Sequence, residues 1–200
     1  MRKTSLATRL SLLILCGVAL VFLATLIINY IDSKRAIMEE LAQDTKDTTL
    51  AATYEISMLL QGVEKIPLTL ATFLEQKSFS QEGLFDLIRQ TLRKNPEIFG
   101  IAIAFEPHAF DPARYFFSPY GCREGGEIQI SILGAVNYHY FSMDWFQIPR
   151  ETRRPHWVEP YYDEGGGNII MSTFSVPFFG QDQEGRQIRG VVTSDLSLEW

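Results

Sequence analysis

The 200-residue chain is predicted to be an α+β protein in which an antiparallel sheet of about five strands carries helices on one face. Two observations predict this fold class. An uncharged apolar run near the N-terminus is followed by apolar residues at helical spacing to about residue 76, and then by a shorter helical pattern. Beyond residue 98, short apolar or alternating segments are separated by Gly- and Pro-containing stretches, which is typical of strands joined by turns.

Composition and charge exclude one class of partner. Hydrophobic residues make up 46% of the chain and charged residues 21%, and the formal net charge is -6. Residues 1–31 hold three basic residues and no acidic one, so the rest of the chain carries 24 acidic and 15 basic residues, a net charge of -9. An acidic body without a basic patch argues against nucleic acid as a partner. The two cysteines, Cys16 and Cys122, imply no disulfide framework.

The apolar run predicts a transmembrane helix over residues 10–31, preceded by a cytoplasmic N-terminus of residues 1–9. It contains 22 residues without a charge, and a bilayer core of roughly 30 Å needs about 20 residues of helix. Arg2, Lys3 and Arg9 precede it, so the positive-inside rule places the body outside the inner or plasma membrane. The alternative is a cleaved signal peptide, whose apolar region is usually shorter, about 7 to 15 residues.

Residues 32–76 are predicted to form a long amphipathic helix. Apolar or small residues recur at steps of three and four from Ile37 to Phe73, while acidic side chains occupy other faces. A helix that leaves a membrane in this way is typical of a signalling stalk, so we expect a homodimer through it; the alternative is that the stripe packs on the sheet. Pro67 removes a backbone donor and crowds the carbonyl of Val63, and a kink or break is expected there.

Residues 77–200 are predicted to form one domain. A second helix is expected over Phe79–Asn95, with Ser80 as N-cap and Pro96 as the stop. A turn is expected at Gly121–Gly126. The expected strands are Phe99–Phe105, Arg114–Ser118, Ile128–Leu133, Ile169–Phe178 and Gln187–Asp195, of which the last two form a hairpin.

The segment between the third and fourth of these strands is predicted to lie over the free face of the sheet. Residues 138–163 hold six tyrosines and tryptophans beside Asp144 and Asp163. Aromatic walls with a few convergent polar groups are the usual chemistry of a small-molecule pocket. The alternative is that these rings form an ordinary core or interface.

Motifs for catalysis or metal binding are absent from the sequence. The three histidines lack metal-ligand spacing, no HExxH or CxxC occurs, and no serine lies in an elbow motif. Gly165, Gly166 and Gly167 lack the lysine and hydroxyl residue of a phosphate loop and are interpreted as a flexible turn. Asp144 and Asp163 would form an acid/base pair only if folding brought them together. We therefore expect no enzymatic activity, cofactor or metal ion in this chain.

The order of these parts resembles the extracytoplasmic Cache sensor family, and specifically the membrane-distal half of a double Cache domain, which is PAS-like. The resemblance covers about residues 10–200 and rests on Asp144-Trp145-Phe146, residues 157–163, Ser175-Val176-Pro177 and residues 190–196. It implies the small-molecule-sensing module of a bacterial transmembrane signalling receptor. It further implies a second, smaller module and an output of kinase, phosphatase, cyclase or chemotaxis type, which the sequence does not identify.

A subset of that family binds amino acids through a pattern that this chain matches in part. The ligand-binding residues that the resemblance implies are Tyr138, Trp145, Tyr161, Asp163 and Asp195. Two positions depart from the pattern: Met143 replaces the arginine, and Phe146 replaces a tyrosine. Because methionine offers no donor to a ligand carboxylate, the expected ligand carries an amine or another cation. The two carboxylates and the aromatic rings would hold such a group.

Alternatives remain open for individual residues and for the function. Asp195 has an alternative role as the N-cap of a following helix, and Trp157 and Pro160 are expected to be structural. Three arginines of the neighbouring loop are candidates for the missing clamp: Arg150, Arg153 and Arg154. The alternative function is a membrane-anchored protein-interaction module without a small-molecule ligand, and a third is an extracytoplasmic hydrolase.

Overall fold

A computed structural model of the protein describes residues 6–134, 138–182 and 185–199, and it confirms the α+β class. The chain divides into two units, Met1–Ile56 and Ser57–Trp200. Arg2 and Lys3, on which the predicted orientation partly depends, lie outside the described residues.

Helix α1 spans Leu6–Gln76. Of the described residues, it is the one helix long and apolar enough to cross a membrane. The apolar side chains of its N-terminal part are exposed. The helix continues through Pro67, so the expected break is wrong. A hydrogen bond from the Ser194 side chain satisfies the carbonyl of Val63, which the proline leaves without a helical donor.

The described residues form a sheet of seven antiparallel strands, two more than predicted. The bounds are β1 Gly100–Phe105, β2 Ser118–Glu124, β3 Glu127–Leu133, β4 His156–Trp157, β5 Tyr161–Tyr162, β6 Ile170–Asp182 and β7 Gly185–Ser197. Across the sheet the strands follow the order β3-β2-β1-β7-β6-β4, and β5 also pairs with β6. The two additional strands, β4 and β5, are only two residues long, too short for an alternating pattern to indicate them.

Strand β2 lies C-terminal to its predicted position. It occupies most of the predicted turn, and its Gly121 pairs with Ile101 on one side and Ile130 on the other. A Cβ on Gly121 would clash with the side chain of Ile88, so the glycine lets the second helix pack closely on the strand. The actual turn is Gly125 and Gly126, whose φ angles are 57° and 87°.

One face of the sheet carries helices, as predicted. Helix α2 (Gln81–Lys94) begins at Ser80, whose side chain accepts a hydrogen bond from the backbone of Gly83, which confirms the predicted N-cap. The C-terminal part of α1 packs into the same core. Strand β1 directs Ile101, Ile103 and Phe105 into this core and Ala102 and Ala104 to the opposite face.

Residues 138–163, the aromatic segment, cover the opposite face of the sheet, also as predicted. This segment contains a short 3-10 helix at Tyr140–Ser142 and helix α3 at Asp144–Thr152, followed by β4 and β5. Tyr140 and Phe146 are fully buried in a second hydrophobic core, which lies between this segment and the sheet. Alanines at the facing positions of β1 leave room for these large rings. Part of the aromatic segment is therefore core, as the alternative interpretation held.

Candidate functional site

All five residues predicted to bind a ligand line one small cavity on the aromatic face of the sheet. The space between its walls measures about 180 Å³. The centre of a water-sized sphere can occupy only about 10 Å³ of that space without touching the walls. That is room for about one water molecule. The cavity in this conformation is therefore smaller than an amino acid. Its lining comprises Tyr138, Trp145, Tyr161, Asp163 and Asp195 together with Ala102, Tyr120, Leu133 and Thr193.

The carboxylate of Asp163 is fixed by two donors. Tyr138 donates its hydroxyl to Oδ1 at 2.5 Å, and the backbone N–H of Gly167 donates to Oδ2 at 2.7 Å. A Cβ on Gly166 would overlap Oδ2, so glycine is required where the chain wraps around the carboxylate. Gly165 has a φ of 83°, which also favours glycine. The triple-glycine turn thus encloses a carboxylate, a role that the sequence did not indicate.

Asp195 lies within strand β7, opposite Thr173 on β6 and Gly100 on β1. The alternative of a helix N-cap is therefore wrong. Its side chain is 4% exposed, and Oδ1 accepts a hydrogen bond of 2.9 Å from the Thr173 hydroxyl. That hydroxyl in turn lies 3.0 Å from the hydroxyl of Tyr161. Because the Thr173 proton is donated to Asp195, the Tyr161 hydroxyl is the donor of this second bond. A chain of hydrogen bonds consequently links Asp195 to the cavity wall.

The electrostatics of the cavity are dominated by its two buried carboxyl groups. Burial, and secondly the negative charge of Asp163, raise the pKa of Asp195 to about 7. Burial also raises the pKa values of Tyr120, Tyr138 and Tyr161 well above that of free tyrosine. The charge of Asp163 adds to this effect at all three, and that of Asp195 adds at Tyr120 and Tyr161. The phenols therefore stay neutral. Since the described lining residues include no Lys, Arg or His, the cavity is negative or neutral and never positive.

A larger, open groove lies beside the cavity. Its volume is about 410 Å³, against about 10 Å³ for the cavity on the same measure. Trp145 and Tyr161 line both spaces, so these two rings form the shared wall. Met143, at the position of the missing arginine, lies in the groove. The other groove residues are Ser142, Asp144, Ile148, His156, Val158, Glu159 and Pro160.

None of the three candidate arginines lines the cavity or the groove. Arg150 pairs with Glu106, with 2.5 Å between Nε and Oε1. Arg153 donates to the backbone carbonyl of Arg186 and lies over the ring of Phe179. Arg154 is exposed. In this conformation none of the three candidates therefore takes the place of the missing carboxylate clamp.

The remaining candidates separate into structural and groove residues. Trp157 donates from its indole to Glu64 at 2.7 Å and packs on Phe174 in the helix-side core, so its structural role is confirmed. Pro160 lines the groove instead. Asp144 lies in the groove while Asp163 lies in the cavity, and no described contact joins them as an acid/base pair. Among the residues described, no cluster of His, Cys, Asp and Glu could hold a metal ion.

Sequence reasoning missed several polar cavity residues. Tyr120 lies between the predicted strand that ends at Ser118 and the predicted turn that begins at Gly121. Thr193 lines the cavity from the predicted hairpin, and Thr173 of the same hairpin contacts Asp195 and Tyr161, which line it. One signal could have found the threonines, because alternate positions of a strand share a face. On that basis Thr193 faces the same side as Asp195, and Thr193 accepts a hydrogen bond from the backbone of Ala102 at 3.0 Å.

The comparison with protein families bears on the same residues. The model for the first PDC sensor domain of methyl-accepting chemotaxis protein-like sequences matches residues 84–200. The chain belongs to this family. The match covers every residue that lines the cavity. It confirms the predicted Cache/PDC sensor domain of a signalling receptor and a role in sensing.

Solved structures of sensor domains share this fold. The extracellular domain of soHK1S-Z6, a candidate histidine kinase, is 33% identical with a TM-score of 0.64, and the alignment covers 72% of this chain and 55% of that one. The structure named methyl-accepting chemotaxis protein X is 22% identical, with a TM-score of 0.67 and coverage of 80% and 64%. The periplasmic sensory domain of the Campylobacter jejuni chemoreceptor Tlp1 is 14% identical, with a TM-score of 0.53 and coverage of 76% and 57%.

The last two likenesses show the fold alone. The chain spans 55% to 64% of the length of these three sensor domains. No curated protein sequence matches the chain.

Proposed function

We propose that this PDC sensor domain binds a small molecule that carries an amine or another cation, and that the cavity is its site. The observation that carries the proposal is that two buried carboxyl groups, Asp163 and Asp195, share a cavity without a basic residue among its described lining. Buried negative charge without a partner is costly. A ligand cation would supply the positive partner that the described lining of the cavity lacks.

Each lining residue has a distinct role in this proposal. Asp163, fixed by Tyr138 and Gly167, is the primary acceptor for the ligand ammonium. Asp195 is the second acceptor. Trp145 and Tyr161 supply aromatic faces, whose attraction for a cation contributes about 0.5 to 2 kcal/mol.

The size of the cavity requires a conformational change on binding. Ligand pockets usually measure about 300 to 1,000 Å³, and the enclosed space is smaller. Because Trp145 and Tyr161 separate the cavity from the open groove, outward movement of these rings would join the two spaces. The ligand then selects the open arrangement, and its differential affinity for the two arrangements is the free energy available for signalling.

We also propose that the sensor domain lies outside the membrane and is anchored by its N-terminal helix. The exposed apolar side chains of residues 10–31 suit a single membrane-spanning helix, with the N-terminus in the cytoplasm and the sensor outside the inner or plasma membrane. The name of soHK1S-Z6 as an extracellular domain supports that side of the membrane. We also propose a homodimer through residues 32–76, and a second module with a signalling output in the complete receptor.

Thermal unfolding of residues 36–200 tests the binding site. A ligand that binds only the folded state at about 100 times its Kd adds about 2.7 kcal/mol of stability. We expect the Tm to rise with one or more amines from a panel that also contains amino acids, carboxylates and purines. The shift should disappear in Asp163→Ala and Trp145→Ala.

The matched control is Asp86→Ala, which removes an exposed carboxylate on α2 and should keep the shift. A folded domain whose Tm responds to no member of the panel would overturn the cavity as an amine site. That result would favour a protein-interaction module instead.

A further inference from the structure

We propose that Asp163 and Asp195 hold one proton between them when the cavity is empty, and that a cationic ligand binds in exchange for this proton. The ligand half of this inference rests on the proposed function. The proton half rests on the arrangement of the two carboxyl groups and stands without a ligand.

Among the described residues, those that surround Asp195 carry only acidic or neutral groups. Those that face it are Tyr120 and Cys122 from β2, Tyr138 from the aromatic segment, Tyr161 from β5 and Asp163 from the glycine turn. The neighbouring strands β1 and β6 present Gly100, Ala102 and Thr173, which do not titrate. Both aspartate residues are 4% exposed. Two buried like charges without a counter-charge favour retention of one proton.

The proton of the pair is placed on Asp195. Asp163 accepts hydrogen bonds from a phenol and from a backbone N–H. Asp195 accepts one from Thr173 at Oδ1, and the hydroxyls of Tyr120 and Thr193 also face its carboxyl group. Its Oδ2 and the hydroxyl of Tyr120 both lie 2.7 Å from the place where a Cβ on Gly100 would stand.

The hydroxyl of Tyr120 lies beside the same carboxyl group. It is one of three buried side-chain oxygens among the described residues that lack a hydrogen-bond partner. It gains a partner either by donating to Oδ2 of an ionised Asp195 or by accepting from a proton on Oδ2, so it is compatible with the proposed proton. The raised pKa of Asp195, about 7, agrees with this assignment.

The exchange conserves charge in the cavity. The empty pair carries one negative charge, from Asp163. When an ammonium group enters, its N–H groups donate to both carboxylates, and the O–H bond of Asp195 breaks with release of the proton to solvent. The filled cavity then holds two negative charges and one positive charge, which again sum to minus one. Affinity for a cation should therefore rise with pH until Asp195 is already ionised in the empty protein.

The proton half can be tested by infrared spectroscopy of the full chain in detergent without a ligand. The C=O stretch of a protonated carboxyl lies above the amide bands and shifts in D₂O. We expect such a band at pH 6 that is lost by pH 8.5, a range in which exposed carboxyl groups are ionised. It should be absent from Asp195→Asn and retained in Asp86→Asn. A wild-type spectrum without a titrating band in this range would overturn the carboxyl pair.

The ligand half uses n-butylammonium as the probe, a primary amine without a carboxylate. Isothermal titration calorimetry on the full chain should give a Kd that falls about tenfold from pH 5.5 to pH 6.5 and levels off above pH 8. In Asp195→Asn the Kd should not depend on pH. Binding to the wild type that is independent of pH would overturn the exchange. No binding at any pH, with the infrared band present, would overturn the proposed amine site and the exchange but support the carboxyl pair.

Discussion

The Ser194 side chain donates a hydrogen bond of 3.1 Å to the backbone carbonyl of Val63, and this bond ties strand β7 to helix α1. Val63 is four residues before Pro67, which has no N–H, so its carbonyl lacks the usual helical donor. Val63 is fully buried, which also excludes bulk water from that carbonyl. Because adjacent strand residues point to opposite faces, β7 presents Asp195 to the cavity and Ser194 to the helix.

Removal of the Ser194 hydroxyl should destabilise the domain. Ser194→Ala leaves a buried carbonyl unsatisfied, so we expect the free energy of unfolding to fall by about 1 to 3 kcal/mol. Urea denaturation of residues 36–200 measures this change.

A second substitution tests the cause of that loss. Pro67→Ala restores a backbone N–H four residues after Val63, so the carbonyl regains a helical donor. The cost of Ser194→Ala should then be smaller in the Pro67→Ala background, with a coupling energy of at least about 0.5 kcal/mol. Equal costs in the two backgrounds would show that the serine stabilises the fold for another reason.

The elements that the sequence predicted well are those with long periodic patterns. Helix α2 and the β6-β7 hairpin carry apolar residues at the spacing that their geometry requires, so their positions followed from the chain. Strand β2 did not follow, because Gly121 suggested a turn, whereas it is required for contact with Ile88. The break that was one of the two expected outcomes at Pro67 is also wrong, and the sequence did not indicate this because the compensating donor, Ser194, lies 127 positions after the proline.

The candidate site followed from family resemblance more than from pattern. The five predicted residues come together in one cavity, but the partners that set their chemistry were not predicted. Tyr120 and Thr173 act on Asp195 through contacts between different strands, and local sequence carries little information on such contacts. The size of the cavity could not be predicted from the sequence either, because it depends on how the rings of Trp145 and Tyr161 pack.

A methyl group on Gly166 should impair the site. The added Cβ would overlap Oδ2 of Asp163, so Gly166→Ala must displace the carboxylate or the turn. We expect at least a tenfold weaker affinity for an amine that binds the wild type, and a loss of stability of about 1 to 3 kcal/mol. Titration calorimetry and urea denaturation measure the two effects.

Gly62→Ala is the matched control for this substitution. Gly62 lies in helix α1 with no atom within 4 Å of the added Cβ. Alanine there should stabilise the helix by about 0.5 to 1 kcal/mol and leave amine binding unchanged. Wild-type affinity in Gly166→Ala would count against Asp163 as the primary acceptor.

Introduction of an arginine at residue 143 should change the class of ligand. Met143 lies in the groove beside Trp145, at the position where the family pattern for amino acids has arginine. A guanidinium group can hold a ligand carboxylate through two hydrogen bonds. Met143→Arg should therefore create or strengthen a Tm increase with α-amino acids by at least about 2 °C relative to the wild type.

Met143→Lys separates geometry from charge at this position. Lysine supplies the positive charge without the planar pair of donors, so its effect should be smaller. An equal response of both variants would mean that charge alone acts, and no response in either would show that residue 143 does not reach the ligand.

The stability of the domain should depend on pH through Asp195. Its pKa rises from the ordinary value of 3.8 to about 7 on folding, so the folded state binds more protons than the unfolded state between these values. The stabilisation from this group is therefore present at low pH and is lost as pH rises from about 4 to about 7, by at most about 1.4 kcal/mol per pH unit. Asp195→Asn removes the titrating group, so its free energy of unfolding should decline less over this range. Urea denaturation at several pH values compares the two, with Asp86→Asn as control, and parallel curves for wild type and Asp195→Asn would contradict the raised pKa.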